Sequence, residues 1–213
     1  MQMKPTSILK HCLVHSTLLA LAGLLTGCAT QSKVPLYSNS EFNAAEVDRI
    51  TLLPVLDLRQ AKKVKFNVSS IVLDHTKSML ESKHYSVLLD SNGDALAKLT
   101  LQDLDSDQPE WVKTFPCTGS RWIMIFVVHN VSSTMPLYST GNAELSGYLF
   151  DRQNGTKLWQ DSGIAAQTSD LVPGDILVSA AIGVAEFPFM SRKALNEAIS
   201  NCMLSFPPKP KSK

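Results

Sequence analysis

Past residue 30 the chain carries three histidines, His75, His84 and His129. An imidazole serves as a base or a metal ligand only when a nucleophile or further ligands stand beside it. None of the three sits in an HExxH spacing, which would set two ligands on one helix face, so each reads as a core or surface histidine. Serines are frequent, but the sequence holds neither a G-x-S-x-G elbow nor a G-x-x-x-x-G-K-[ST] phosphate cradle. Asp103, Asp105 and Asp107 alternate as calcium ligands do. An EF-hand loop needs Gly at its sixth position and Glu at its twelfth; here these are Gln108 and Thr114, so the run reads as a solvated acidic loop. No catalytic residue, metal ligand or cofactor site is expected, and the chain reads as a non-enzyme.

Cysteine chemistry is more informative. Between Lys10 and Lys33 there is no formal charge, yet only Leu18 to Leu25 is continuously apolar. A membrane-spanning helix needs ~20 mostly apolar residues. A secretory signal instead has a basic start, an apolar stretch of ~7–15 residues and a small-residue cleavage site. Lys4 and Lys10 supply the basic start, and the apolar stretch runs into Leu25-Thr26-Gly27-Cys28. That tetrapeptide resembles the lipobox of bacterial lipoproteins. The resemblance implies cleavage before Cys28, lipid (palmitate among its acyl chains) on that cysteine, and a membrane partner reached through the lipid. Two lipid signals already make a stable anchor. Ala29, rather than Asp, follows the cysteine, which resembles an outer-membrane address facing the periplasm.

Loss of residues 1–27 removes Lys4 and Lys10 from the 20 basic residues and none of the 19 acids, leaving a net charge of −1. There is no basic footprint for nucleic acid. About 185 residues remain, enough for one domain with its own core. Cys12 lies in the signal, which leaves Cys117 and Cys202. In an oxidising periplasm they could bond to each other; as buried thiols they would pack as small hydrophobes.

The elements follow from periodicity. Residues 28–48 read as a lipidated N-terminus and flexible tether, 49–206 as an α/β globular domain, and 207–213 as a disordered Pro/Lys tail. Arg49 to Leu58 reads as a first strand that bends at Pro54, which cannot donate to a ladder. Val68, Ile71, Val72, Met79 and Leu80 give an amphipathic helix capped by Asn67. Tyr85 to Leu89 is a short β-prone run closed by a turn at Asp90 to Gly93. Trp122 to Val128 is apolar at every position, as a central strand covered on both faces should be. Asn154-Gly155 between two strand-like runs marks a hairpin. Leu195, Ala198, Ile199, Cys202, Met203 and Phe206 form one helix face, stopped by Pro207 and Pro208. Together these give an α/β fold, a mixed β-sheet with amphipathic helices packed on it.

Val172 to Met190 is the longest apolar stretch after the signal, broken by Pro173, Gly174, Gly183 and Pro188. It is either a core helix from Asp175 to Glu186 or an apolar surface for self-assembly or docking. In the second case Ile176, Leu177, Ile182, Val184, Phe187 and Phe189 would form the surface, with Trp111 joining them. The alternative is a binding lipoprotein for a small molecule or glycan, with Trp111, Trp122 or Trp159 lining its pocket.

Arg49 to Leu58 with its Leu53-Pro54 step, the following helix, and a hairpin bearing Asp151, Gly155 and Trp159 resemble a group of bacterial envelope lipoproteins. The group contains the curli-secretion lipoprotein, the Pel exopolysaccharide lipoprotein, the activators of penicillin-binding proteins and the TolB N-terminal domain. The resemblance spans Arg49 to Thr168. It implies a TolB N-terminal-domain-like α/β fold and a lipid-anchored accessory protein of envelope assembly or export. Such a protein would work as a homo-oligomer or through a protein partner.

Overall fold

Seven consecutive apolar residues, Trp122 to Val128, are all buried, and alternate side chains enter two separate cores. The computed structural model describes residues 33–60, 64–117, 119–134, 140–168 and 176–210, with side chains from 189 onward in the last helix. In chain order the elements are β1 (Tyr37–Ser38), β2 (Arg49–Leu52), β3 (Leu56–Asp57), α1 (Val68–Ser82), β4 (Ser86–Leu89), α2 (Leu101–Asp105), α3 (Glu110–Thr114), β5 (Trp122–Thr134), β6 (Thr140–Asp151), β7 (Thr156–Thr168) and α4 (Ile176–Met203). The strands form one mixed sheet in the order β1-β7-β6-β5-β2-β4, with β3 also beside β5. β2 runs parallel to β4 and β5, whereas β5, β6 and β7 are antiparallel neighbours. The fold class is therefore the expected one.

One core lies between the sheet and the two long helices. Trp122, Met124, Phe126 and Val128 of β5 meet Val68, Val72 and Leu80 of α1 and Ala194, Leu195, Ala198 and Ile199 of α4 there. The other core holds Ile123, Ile125, Val127, Tyr148 and Phe150 beneath Leu96, Leu104, Val112 and Phe115. A parallel pair needs a crossover, and α1 provides it between β2 and β4. Asn67 accepts the Ser70 N–H at 3.0 Å, as expected of the cap. At the other end His84 takes a left-handed conformation, φ 71°, while the Tyr85 N–H returns to the Leu80 carbonyl at 3.0 Å.

Pro54 divides the first expected strand, so that β2 and β3 pair with β5 on either side of it. The hairpin turn at Asn154-Gly155 is present, with Gly155 at φ 69° and its N–H on the Asp151 carbonyl at 2.7 Å. β7 extends much further than Thr156 to Trp159. Its inward positions include Asp161, Gly163 and Ala165, too polar or too small to read as a buried strand. At Gly163 a Cβ would collide with the Ala198 carbonyl oxygen. The missing side chain lets α4 lie directly on the strand.

Four expectations are corrected. The tether does not reach residue 48, because the compact unit begins at Lys33. Tyr37 and Ser38 pair with Gln160 and Trp159, and the Phe42 ring packs tilted against Phe206 with centroids 6.0 Å apart. The proline-rich tail is held through residue 209: the Pro207 carbonyl accepts from Tyr85 Oη at 3.0 Å, and the Lys209 N–H donates to the Lys83 carbonyl at 3.0 Å. Instead of a helix ending at Glu186 and a separate one bearing the Leu195 to Phe206 face, α4 is continuous for 28 residues, although an interior proline removes one N–H bond and crowds the carbonyl four residues back. Finally, Cys117 and Cys202 are both free and buried. They belong to the two cores on opposite faces of the sheet, so the structure does not bring the pair together.

Candidate functional site

The residues singled out for chemistry are dispersed. Asp103 closes the N-terminal turn of α2, accepting from the Thr100 N–H at 2.8 Å and Oγ1 at 2.7 Å, and these bonds hold its carboxyl below the usual range. Asp105 accepts from Tyr148 Oη at 3.2 Å, and Asp107 pairs with Lys157 at 3.5 Å. The three carboxylates thus face three different partners. Among the described residues no group of His, Cys, Asp or Glu is arranged to hold a metal. His75 Nε2 meets Ser200 Oγ at 3.0 Å, with burial pushing the imidazole pKa down. His129 Nε2 meets Ser146 Oγ at 2.9 Å. Each is a serine–histidine contact, and no described hydrogen bond adds a carboxylate to either imidazole, the third member that orients a hydrolytic triad.

A concavity lies along the outer half of β5. Up to Val128 the strand has neighbours on both sides, the last being Leu58, whose N–H donates to the Val128 carbonyl at 3.0 Å. The register then shifts between Val128 and Asn130. This bulge turns both Val128 and Val131 into the helix-side core. Beyond it β5 pairs with β6 and, among the described residues, with no strand on its other side. A cleft of about 1030 Å³ opens here. Its walls are residues 58–60 and 64–66, Leu101, His129 to Ser133 of β5, and Phe189, Ser191 and Arg192 of α4.

Leu58, Val64, Phe66, Val131 and Phe189 give the cleft an apolar lining, and Phe189 is 58% exposed. Arg59, Lys65, His129 and Arg192 also line it, and among the described residues no acidic side chain does. Arg59 is bound to Asp57 by two bonds of 2.8 Å from Nε and Nη2. Its Nη1 is buried without a partner among the described residues. The arrangement suits recognition of an apolar group carrying a negative charge or carbonyl oxygens.

Of the proposed interaction surface, Phe189 is in this cleft. Ile176, Leu177, Ile182, Val184 and Phe187 lie in α4, and their side chains are outside the described residues. Trp111 does not join Phe189. It packs edge-on against Phe115 and Phe150 at 5.8 and 5.4 Å, and its indole N–H donates to the Asp103 carbonyl at 3.1 Å. Trp159 is buried, and Trp122 borders only a smaller hollow of about 230 Å³. Cys28 is outside the described residues. No described helix is long and apolar enough to cross a membrane. Periodicity missed Arg59, Phe66 and Arg192, which come from three separate segments; the Asp57-x-Arg59 spacing was the one local signal available.

No family model matches the sequence, and neither does any curated protein. Among solved structures, lipoprotein GNA1162 from Neisseria meningitidis is similar at 20% identity and TM-score 0.43, over 65% of this chain and 97% of that one. The PelC dodecamer from Paraburkholderia phytofirmans aligns at 11% identity and TM-score 0.37, over 72% and 96%. The LpoB C-terminal domain from Salmonella enterica aligns at 15% identity and TM-score 0.34, over 57% and 84%. Bacterial lipoproteins thus stand among the solved structures to which the chain is similar.

Proposed function

We propose that the chain is a lipid-anchored, non-enzymatic accessory protein of the cell envelope, held at the outer membrane through Cys28 and facing the periplasm. It acts by touching another protein, either a further copy of itself or a component of an envelope complex. The observation that carries this reading is the cleft beside β5, in which a 58% exposed phenylalanine stands among apolar and basic side chains. Such a lining fits contact. Photocrosslinking from position 189 in intact cells, with position 142 as control, should give a discrete protein adduct from the first alone. No adduct from position 189 would end the contact reading. Cys28→Ala should move the protein out of the membrane fraction, and its retention there would remove the lipid anchor.

One observation favours a second reading, a lipoprotein that binds a small molecule. Arg59 Nη1 is a buried donor with no described partner, and a carboxylate in the cleft would satisfy it. Thermal shifts with a series of aliphatic carboxylates, absent in Arg59→Met, would support that reading; no shift with any of them would discard it.

A further inference from the structure

The compact unit begins only five residues after Cys28. Lys33 is fastened to it: its Nζ lies 2.9 Å from Asp161 Oδ1 and donates to the carbonyls of Ser162 at 2.5 Å and Asn201 at 3.2 Å. Asp161 itself is fully buried and also accepts from Ser205 Oγ at 2.6 Å. A chain of five residues spans at most about 18 Å when fully extended. A domain of this size is roughly 40 Å across, from a radius of gyration near 16 Å. A lipid on Cys28 would therefore hold the Lys33 side of the domain toward the bilayer.

Four exposed apolar side chains belong to the segments that meet there, at the edge of the sheet. Val34 is 83% exposed, Leu36 67%, Ile164 66% and Leu204 52%. Val34 and Leu36 follow Lys33 into β1. Ile164 is two residues beyond Ser162, and its carbonyl accepts from Asn201 Nδ2 at 3.1 Å. Leu204 comes directly after α4, three residues past Asn201. Half of the eight large exposed hydrophobics among the described residues thus belong to the segments that meet at Lys33.

We infer that this corner, formed by residues 33–36, the outer part of β7 and the end of α4, is a membrane-docking face. It lies on the lipid surface and sets the orientation in which the β5 cleft is presented. The inference rests on lipidation of Cys28. Apolar side chains at a bilayer interface add to the hold of a lipid anchor, and the Lys33–Asp161 contact fixes the point on the domain from which the chain leaves toward Cys28.

The test uses the full-length lipidated protein in vesicles of phosphatidylethanolamine and phosphatidylglycerol containing nitroxide-labelled acyl chains. An environment-sensitive fluorophore is placed at Leu36→Cys, Ile164→Cys or Leu89→Cys; the native Cys117 and Cys202 are buried. Leu89 is exposed on β4, at the sheet edge opposite β1. Emission from positions 36 and 164 should shift to the blue and lose most of its intensity to the nitroxides, while position 89 stays aqueous. If the protein floats with the vesicles but all three labels behave alike, the docking face is overturned and the anchor stands. If the protein fails to float, the anchor reading fails and the docking face fails with it.

Discussion

The two faces of the sheet are built to different rules. On one, α1 and α4 cover strands from β2 to β7, and Gly163 sets a helix carbonyl almost against the strand. On the other, among the described residues, the short helices α2 and α3 and the loops around them cover the half that holds Ile123, Ile125, Val127, Tyr148 and Phe150. Past the bulge in β5 the same face continues as Asn130, Glu144 and Ile164 in register across three strands, followed by Ser132, Asn142 and Ala166. Asn130, Glu144, Ile164 and Ala166 are exposed. The difference teaches where function can reside. A tightly packed face has little freedom to receive a partner, and the cleft opens at the edge where β5 runs beyond its parallel neighbours, with Phe189, Ser191 and Arg192 of α4 as one wall.

The largest effect should separate the covered and the open halves of the second face. Phe150→Ala removes a fully buried ring and is expected to cost about 3–5 kcal/mol. Asn142→Ala, on the open half, should stay within about 0.5 kcal/mol. Urea unfolding of both variants checks the contrast, and equal losses would break it. Gly163→Val tests the close approach of α4 and should cost about 3 kcal/mol through overpacking. Ala166→Val, three residues along the same strand but facing solvent, should be nearly neutral.

Smaller effects lie at the borders. Burial works against the Asp151 charge, but the bonds from Arg121 and the Gln153 and Asn154 groups outweigh it and leave its carboxyl below the ordinary 3.8. The folded state therefore binds this proton less readily than the unfolded one. Its contribution is complete above about pH 4 and disappears as pH falls through the lowered value. Acid titration of stability should lose part of its slope in Asp151→Asn, and an unchanged slope would assign the acid sensitivity elsewhere. His84→Gly should raise stability by about 1 kcal/mol, because a left-handed residue with a Cβ is strained. Thermal unfolding would read this as a modest rise in Tm.

Local periodicity made much of the scaffold legible. β5 announced itself by seven apolar residues in a row, α1 by its spaced hydrophobes and Asn67, and the hairpin by Asn154-Gly155. β7 was only half visible, since Asp161 and Gly163 face inward for reasons that lie on other elements: Lys33 and Ser205 satisfy the first, and the backbone of α4 requires the second. The cleft was not legible at all, because Arg59, Val131 and Phe189 are neighbours only after the chain has folded.

The sequence by itself determined β2, α1, β5, the Asn154-Gly155 hairpin and the apolar face of the last helix, together with the lipobox-like start at Cys28, because each is written in neighbouring residues. Tertiary structure alone decided that residues 33–48 belong to the domain, that Cys117 and Cys202 lie on opposite faces, and where the cleft opens. Each of these depends on contacts between segments dozens of residues apart, and no local period encodes a partner at that distance.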